Sequence, residues 1–449
     1  MSLTPLALQT AGRVGPAPSL MRKPGVSGTA VLVALGFLAC VLEGAGRKWL
    51  VQNPSFVVQG IFYFGKDIFF ILAALLAIQT PARSAAVVGL KSTLAMSAGL
   101  IFLATLVNLD NFYPIGALVS VRNALYLPWL ALLIAPALRS QRDIDFLLKL
   151  IGFTVVGVAV LGGLQFYLPR GHILNQQVNT AQEALAEGAR VRASGTFAFI
   201  SGMADLAILA AWAGVCLLLR RQRTLGSLFV AAALACASAA VSRTGILGAL
   251  AVVIFSYLLL PSGRRDMVIV ILVLGLGFYY VARDQQTTDE FSLASSTVFR
   301  FRTAGDTFGE RIFGMIEQPW LAVQEVPAGV GLGLGQSVGA MMKAQLPTKV
   351  AFESELARIV LEIGVFGLIA VVIMRVSVIA TLWTTCRSAR PEFLPIRLAS
   401  LVAVGLYFAS VTYFGHVAST FAWLVVLVAL ATCELETRAG ASSRRLRQT

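Results

Sequence analysis

Charge is scarce in this chain of 449 residues, of which only 13% are Asp, Glu, Lys or Arg. That is about half the share of an ordinary soluble domain. With 57% apolar residues and a mean hydropathy of +0.80, a soluble globular domain is excluded, because one core could not hide so much apolar surface from water. Disorder is excluded by the same numbers, since it needs the opposite composition. Histidine is nearly missing: His172 and His416 are the only two, and neither has the spacing of a metal site. Cysteine is sparse as well. Cys40, Cys216, Cys236 and Cys433 lie inside apolar runs and Cys386 at the end of one, so they read as small apolar residues rather than a disulfide framework. Alternation over ~10 residues, the mark of a transmembrane β-barrel, is absent, and so is any repeat of fixed period.

What is present is a series of continuous apolar runs. Measured against a span of ~20 residues, they predict about twelve transmembrane helices: 29–46, 57–80, 84–108, 113–137, 147–168, 196–219, 225–241, 244–261, 267–282, 355–385, 395–413 and 416–433. Phe56–Phe64 is open to a re-entrant reading. The basic residues then fix the orientation. One set of loops carries 21 of them, including Arg83, Arg139, Arg220, Arg375, Arg387 and Arg397, against six acidic residues. The remainder is close to neutral, so the whole surplus of +14 lies on one face, which is cytoplasmic, and both termini are inside. The expectation is an all-α polytopic membrane protein, N-in and C-in. It has a cytoplasmic tail at 1–28, helices one to nine over 29–282 with an outer loop at 169–194, a large outer helical loop at 283–354, helices ten to twelve over 355–433, and a cytoplasmic tail at 434–449. The basic charge is spread over helix ends, where it orients the chain and touches anionic membrane lipid; it is not a nucleic-acid surface.

Both outer loops contain a helix-start signature. Thr180-Ala181-Gln182-Glu183 and Thr307-Phe308-Gly309-Glu310 read as capping boxes, predicting helices over about 181–187 and 308–324. Gly329, Gly331, Gly333 and Gly335 alternate with apolar residues. No strand–helix dinucleotide context surrounds them, which leaves a close-packed turn or backbone N–H groups near a phosphate. Asp143-Ile144-Asp145 has the form of a metal-holding DxD but falls in a basic cytoplasmic loop. Ser242 has no histidine base nearby in sequence.

Ionisable residues inside or beside apolar runs are costly and usually face a cavity or a partner. On the outer side these are Glu43, Arg47 and Lys48; Lys66 and Asp67; Arg122; Arg190 and Arg192; Arg243; Arg300, Arg302 and Arg311; and Glu353, Glu355, Arg358 and Glu362. Glu43–Arg47 and Lys66–Asp67 read as structural pairs. The arginines as a group suit an anionic substrate at the outer surface, because guanidinium binds diphosphate in a bidentate way. The candidate set is Arg190, Arg192, Arg243, Arg311 and Arg358. Glu355, Arg358 and Glu362 share one helix face, so Glu355 and Glu362 neutralise Arg358. Glu353 is left without a local partner and is the candidate general base, with Glu355 as the alternative.

These segments resemble the O-antigen ligase and Wzy-type O-antigen polymerase superfamily. The resemblance is carried by Ser242-Arg243-Thr244-Gly245 at an outer turn, the long outer loop, Gly331-x-Gly333 near its end, Glu353-Ser-Glu-Leu-Ala-Arg-Ile-Val-Leu-Glu362-Ile-Gly364, and Arg190-Val-Arg192-Ala-Ser-Gly195-Thr196-Phe197. It covers most of the chain by topology and about forty residues by motif. It implies a helical bundle in the bacterial inner membrane that acts at the periplasmic face on undecaprenyl-diphosphate-linked oligosaccharide. It further implies arginines on the diphosphate, no cofactor and no metal, and other polysaccharide assembly and export proteins as partners. Ligases of this kind have a His-Asn pair where this chain has Glu353-Ser354. That departure favours a polymerase, an inverting, metal-independent glycosyltransferase. An O-antigen ligase is the first alternative. A flippase or transporter for the same lipid, or an export-complex scaffold, is the second; the lack of an internal repeat weighs against a transporter.

Overall fold

The computed structural model describes residues 25–51, 56–107, 114–176, 178, 186–187, 190–259, 314, 317–332, 354–409 and 416–446. Twelve α-helices are found among them. They are α1 (Gly28–Ala45), α2 (Phe56–Ala77), α3 (Ala85–Val107), α4 (Pro114–Val121), α5 (Leu127–Ile134), α6 (Gln141–Tyr167), α7 (Ile200–Leu219), α8 (Arg223–Ala239), α9 (Arg243–Leu258), α10 (Glu355–Arg387), α11 (Leu394–Phe408) and α12 (His416–Leu446). A π turn at Gly46–Leu50 prolongs α1, and another at Arg122–Tyr126 joins α4 to α5. Side chains fix several helix starts. Ser27 Oγ accepts from Ala30 N–H, Ser140 and Asp143 form a capping box on α6, and Ser242 Oγ accepts from Gly245 N–H; each supplies an acceptor to an otherwise unsatisfied donor.

Among the described residues seven helices are long and apolar enough to cross a membrane, and four shorter apolar ones accompany them. The chain is a helical, multi-pass membrane protein. The helices that touch lipid say the same: on α2, Ile61, Ile68, Leu72, Leu75 and Leu76 are exposed at helical spacing, an arrangement that water would penalise. At the centre, α7 is buried along nearly its whole length by α6, α8, α9, α11 and α12. The apolar run at 267–282 lies outside the described residues.

Some expectations need correction. Residues 56–64 belong to the continuous helix α2. Ala186–Glu187 pair antiparallel with Arg190–Val191 in a two-residue ladder rather than ending a helix, because the ladder satisfies backbone groups that a short exposed helix would leave to water. Residues 317–325 are helical, covering the end of the predicted 308–324 segment and one residue beyond it. The last helix does not stop at 433: α12 runs on to Leu446, since Glu434 and Thr432 are fully buried against neighbouring segments.

The largest departure is in α10. Gly364 has φ 66° and ψ −168°, and Arg375 Nη2 lies 2.7 Å from Glu355 Oε1. Twenty residues of straight helix would separate these side chains by ~30 Å. The chain therefore folds back at Gly364 into a short arm, 355–363, and a long arm, 365–387, which still spans ~33 Å. The groups freed by the break are satisfied by the turn at 327–331: Val330 N–H donates to Leu361 O (2.7 Å), Gly331 N–H to Glu362 O (3.2 Å) and Val365 N–H to Pro327 O (2.9 Å). A Cβ on Gly364 would lie 2.6 Å from Pro327 O, and one on Gly329 2.6 Å from Gly364 N. Gly329 thus belongs to a close-packed turn, one of the two readings of the glycine run; Gly333 and Gly335 lie outside the described residues.

Candidate functional site

The fold at Gly364 brings both arms of α10 around a cavity of about 50 Å³. Its polar lining is Ser120, Glu355, Arg358, Glu362 and Arg375, closed by Leu332, Phe408 and Trp423. Such a volume holds a water or two. Arg375 lies twelve residues from Arg387 along the long arm, or ~18 Å, which puts it near the middle of a ~30 Å apolar layer. Its Nη1 donates to Phe408 O at the C-terminal end of α11 (3.2 Å) and its Nη2 to Glu355 Oε1 (2.7 Å). The guanidinium also sits over the Phe408 ring. The cation therefore caps a helix whose carbonyls end inside the bundle. Glu362 Oε2 accepts from Ser120 Oγ at 2.5 Å. Glu355 Oε2 is buried with no hydrogen-bond partner among the described residues.

This geometry changes two assignments. Glu355 is bonded to Arg375, not to Arg358. Arg375 is not a loop cation at the basic end but a buried residue. The break at Gly364 causes both: without it, Arg375 would lie out of reach of any outer carboxylate. Arg358 and Glu362 remain one turn apart and line the same cavity, as their spacing predicts.

A second ionic group adjoins the first through α4 and its π turn. Arg122 donates to both oxygens of Asp67 (2.5 and 2.7 Å), and Lys66 Nζ lies 2.5 Å from Glu43 Oε2. Glu43 also pairs with Arg47 at 3.3 Å, as expected. Lys66 and Asp67, expected to pair with each other, instead reach to α1 and to Arg122. Consecutive residues of a helix point about 100° apart, so each finds a different neighbour. Ser120 and Arg122, two residues apart, tie the two groups together.

The segment Arg192-Ala-Ser-Gly195-Thr196-Phe197 forms a buried turn. Lys48 Nζ donates to Ser194 Oγ (2.9 Å) and Gly195 O (2.8 Å), and the Gln165 side chain grips Gly195 N–H and O. Gly44 of α1 approaches so closely that a Cβ would lie 2.1 Å from Ala198 N. Arg192 donates to Ala240 O (3.2 Å) and Val241 O (3.3 Å), the carbonyls ending α8. It is thereby brought against the turn that leads into Arg243, although ~50 residues separate the two. Val241 in that turn has φ 47°, an uncommon conformation for a β-branched residue. Arg243 opens α9 and is half-buried. Neither arginine lines the cavity at Gly364. The Arg190 backbone is in the two-residue ladder, while its side chain, Glu353 and Arg311 lie outside the described residues.

Other candidates are structural. Asp143 accepts from the N–H groups of Ser27, Arg139 and Ser140, and Asp145 pairs with Arg220. His172 Nδ1 accepts from Leu174 N–H. Two residues escaped the reading of the sequence: Arg375, and Asp205 in α7, a lone acid within an apolar run. No protein-family model matches this chain, and a search of curated proteins returns no match.

Proposed function

We propose that the protein is a glycosyltransferase of the inner membrane that polymerises undecaprenyl-diphosphate-linked repeat units at the periplasmic face. The observation that supports this reading is the set of carboxylates and arginines gathered at the fold of α10 within a helical membrane protein; in this reading its surplus positive charge lies on the opposite, cytoplasmic side. In this reading the twelve spans include 267–282, and both termini are cytoplasmic. Arginines, with Arg243 first and Arg190 or Arg192, Arg311 and Arg358 as further candidates, neutralise the diphosphate as its bond to the sugar breaks. A hydroxyl of the incoming unit attacks C1 from the opposite face, with inversion. Its proton passes to Glu353, which precedes Ser354 in the sequence. Glu355, held by Arg375 and keeping one oxygen without a hydrogen bond, is the alternative base. The sugars lie outside the 50 Å³ cavity, which serves as the charged floor of the site.

The test is the glycan made by cells lacking this protein. Products of a single repeat unit support a polymerase. Chains of normal length left on carrier lipid would mean a ligase, and lipid-linked units retained in the cytoplasm would mean a flippase.

A further inference from the structure

Between Gly202 and Leu217 every residue of α7 is buried except Asp205. A helix packed by its neighbours thus has its one break in full burial along this stretch at its single carboxylate. Among the described residues no hydrogen bond or ion pair holds that carboxylate; only the backbone carbonyl of Asp205 is engaged, by the Tyr407 hydroxyl at 2.7 Å. An ionisable group in a membrane bundle without a partner marks a cavity that carries a ligand or water.

The surroundings say which ligand. Tyr407 immediately precedes Phe408, whose carbonyl takes Arg375, so Asp205 borders the end of α11 that Arg375 caps. On its other flank α7 runs parallel to α9: a Cβ on Gly245 would lie 3.1 Å from Ala204 Cα, and one on Gly248 2.7 Å from the Ile208 side chain. Arg243 is two residues before Gly245 and Asp205 one after Ala204. At 1.5 Å per residue they are offset by ~5 Å along the helix axes. A cation and an incompletely buried carboxylate therefore lie at nearly the same depth on the neighbouring helices α7 and α9, with the end of α11 beside Asp205.

We propose that Asp205 binds the sugar ring attached directly to the diphosphate, a role that rests on the transferase reading above. An ionised carboxylate only accepts hydrogen bonds, through two oxygens, and neighbouring ring hydroxyls offer two donors side by side. Arg243 takes the phosphate. Their nearly equal depth on neighbouring helices points to the ring next to the phosphate rather than one further along the chain. The same carboxylate discriminates against a lipid diphosphate without a sugar, which would leave a desolvated anion unpaired beside a second anion.

The test uses the full-length protein in lipid nanodiscs and two probes, a polyprenyl diphosphate bearing one hexose and the same lipid diphosphate without it. The wild type should prefer the sugar-bearing probe by ~10–100-fold, the worth of charge-assisted hydrogen bonds. Asp205→Ala should lose that preference while still binding both, and Asp205→Asn, which keeps the volume, should lose most of it. Asp205→Cys should react with a water-soluble maleimide and be protected by the sugar-bearing probe. A preference retained in Asp205→Ala, or a cysteine that does not react, would overturn the assignment alone. Turnover lost with the preference intact would also overturn it, making Asp205 a proton acceptor. A wild type that binds neither probe would overturn the transferase reading and this assignment with it.

Discussion

Buried carboxylates at the two ends of the bundle are treated differently. At the basic end Glu434 accepts from the N–H groups of Arg83, through both oxygens, and of Ser84, all at 3.0 Å. Asp143 accepts three backbone N–H groups in the same manner, and Glu436 takes Arg397 at 2.5 Å. These groups lock loop to helix. In the other half Asp67 and Glu43 are likewise paired through both oxygens, but among the described residues Glu355 leaves one oxygen without a hydrogen bond and the Asp205 carboxylate has no partner. A saturated carboxylate is a fastener; one that is desolvated and incompletely bonded is retained at a cost that stability does not explain. The contrast locates function in the half that holds the fold of α10.

That contrast can be broken at four points. The largest effect is expected at the carboxylate base: Glu353→Gln should lower transfer by ~10²–10⁴ while leaving lipid-linked substrate binding intact, measured as turnover of the purified protein. Arg375→Met strands Glu355 in the bundle and should destabilise by ~3–5 kcal/mol, read by thermal or denaturant unfolding in detergent. Adding Glu355→Leu should recover most of that stability but not activity. Gly364→Ala puts a side chain at positive φ against the Pro327 carbonyl, costing ~1–3 kcal/mol, and should detach the 327–331 turn, visible as faster hydrogen exchange at Val330. The smallest change is Glu434→Gln, which weakens the links to Arg83 and Ser84 by about 1 kcal/mol. Its activity per folded molecule should stay at the wild-type level, because it lies among the fasteners.

The helices were legible because lipid as solvent demands continuous apolar runs. The α3 helix, expected at 84–108, spans Ala85–Val107, and α9, expected to start at 244, starts at Arg243. Arg358 and Glu362 were legible as one face because i,i+4 spacing is local. The fold at Gly364 was not: a single glycine in an apolar helix is commonplace, and its meaning depends on Pro327–Gly331, more than thirty residues away. Arg375 was misplaced for the same reason, as counting charge assigns a lone arginine to the nearer basic loop. Asp205 was overlooked because a single acid in an apolar run gives no spacing to interpret; its significance lies in being the one position between Gly202 and Leu217 that is not fully buried.

The most direct measurement is transfer by the purified full-length protein reconstituted with a lipid-diphosphate-linked repeat unit in the presence of a metal chelator. The account predicts a ladder of lengthened glycans on lipid, released polyprenyl diphosphate in matching amount, and loss of both in Glu353→Gln and Arg243→Lys, the latter because lysine lacks the bidentate fork. Unchanged repeat units with wild-type protein, or a full ladder from both Glu353→Gln and Glu355→Gln, would contradict it.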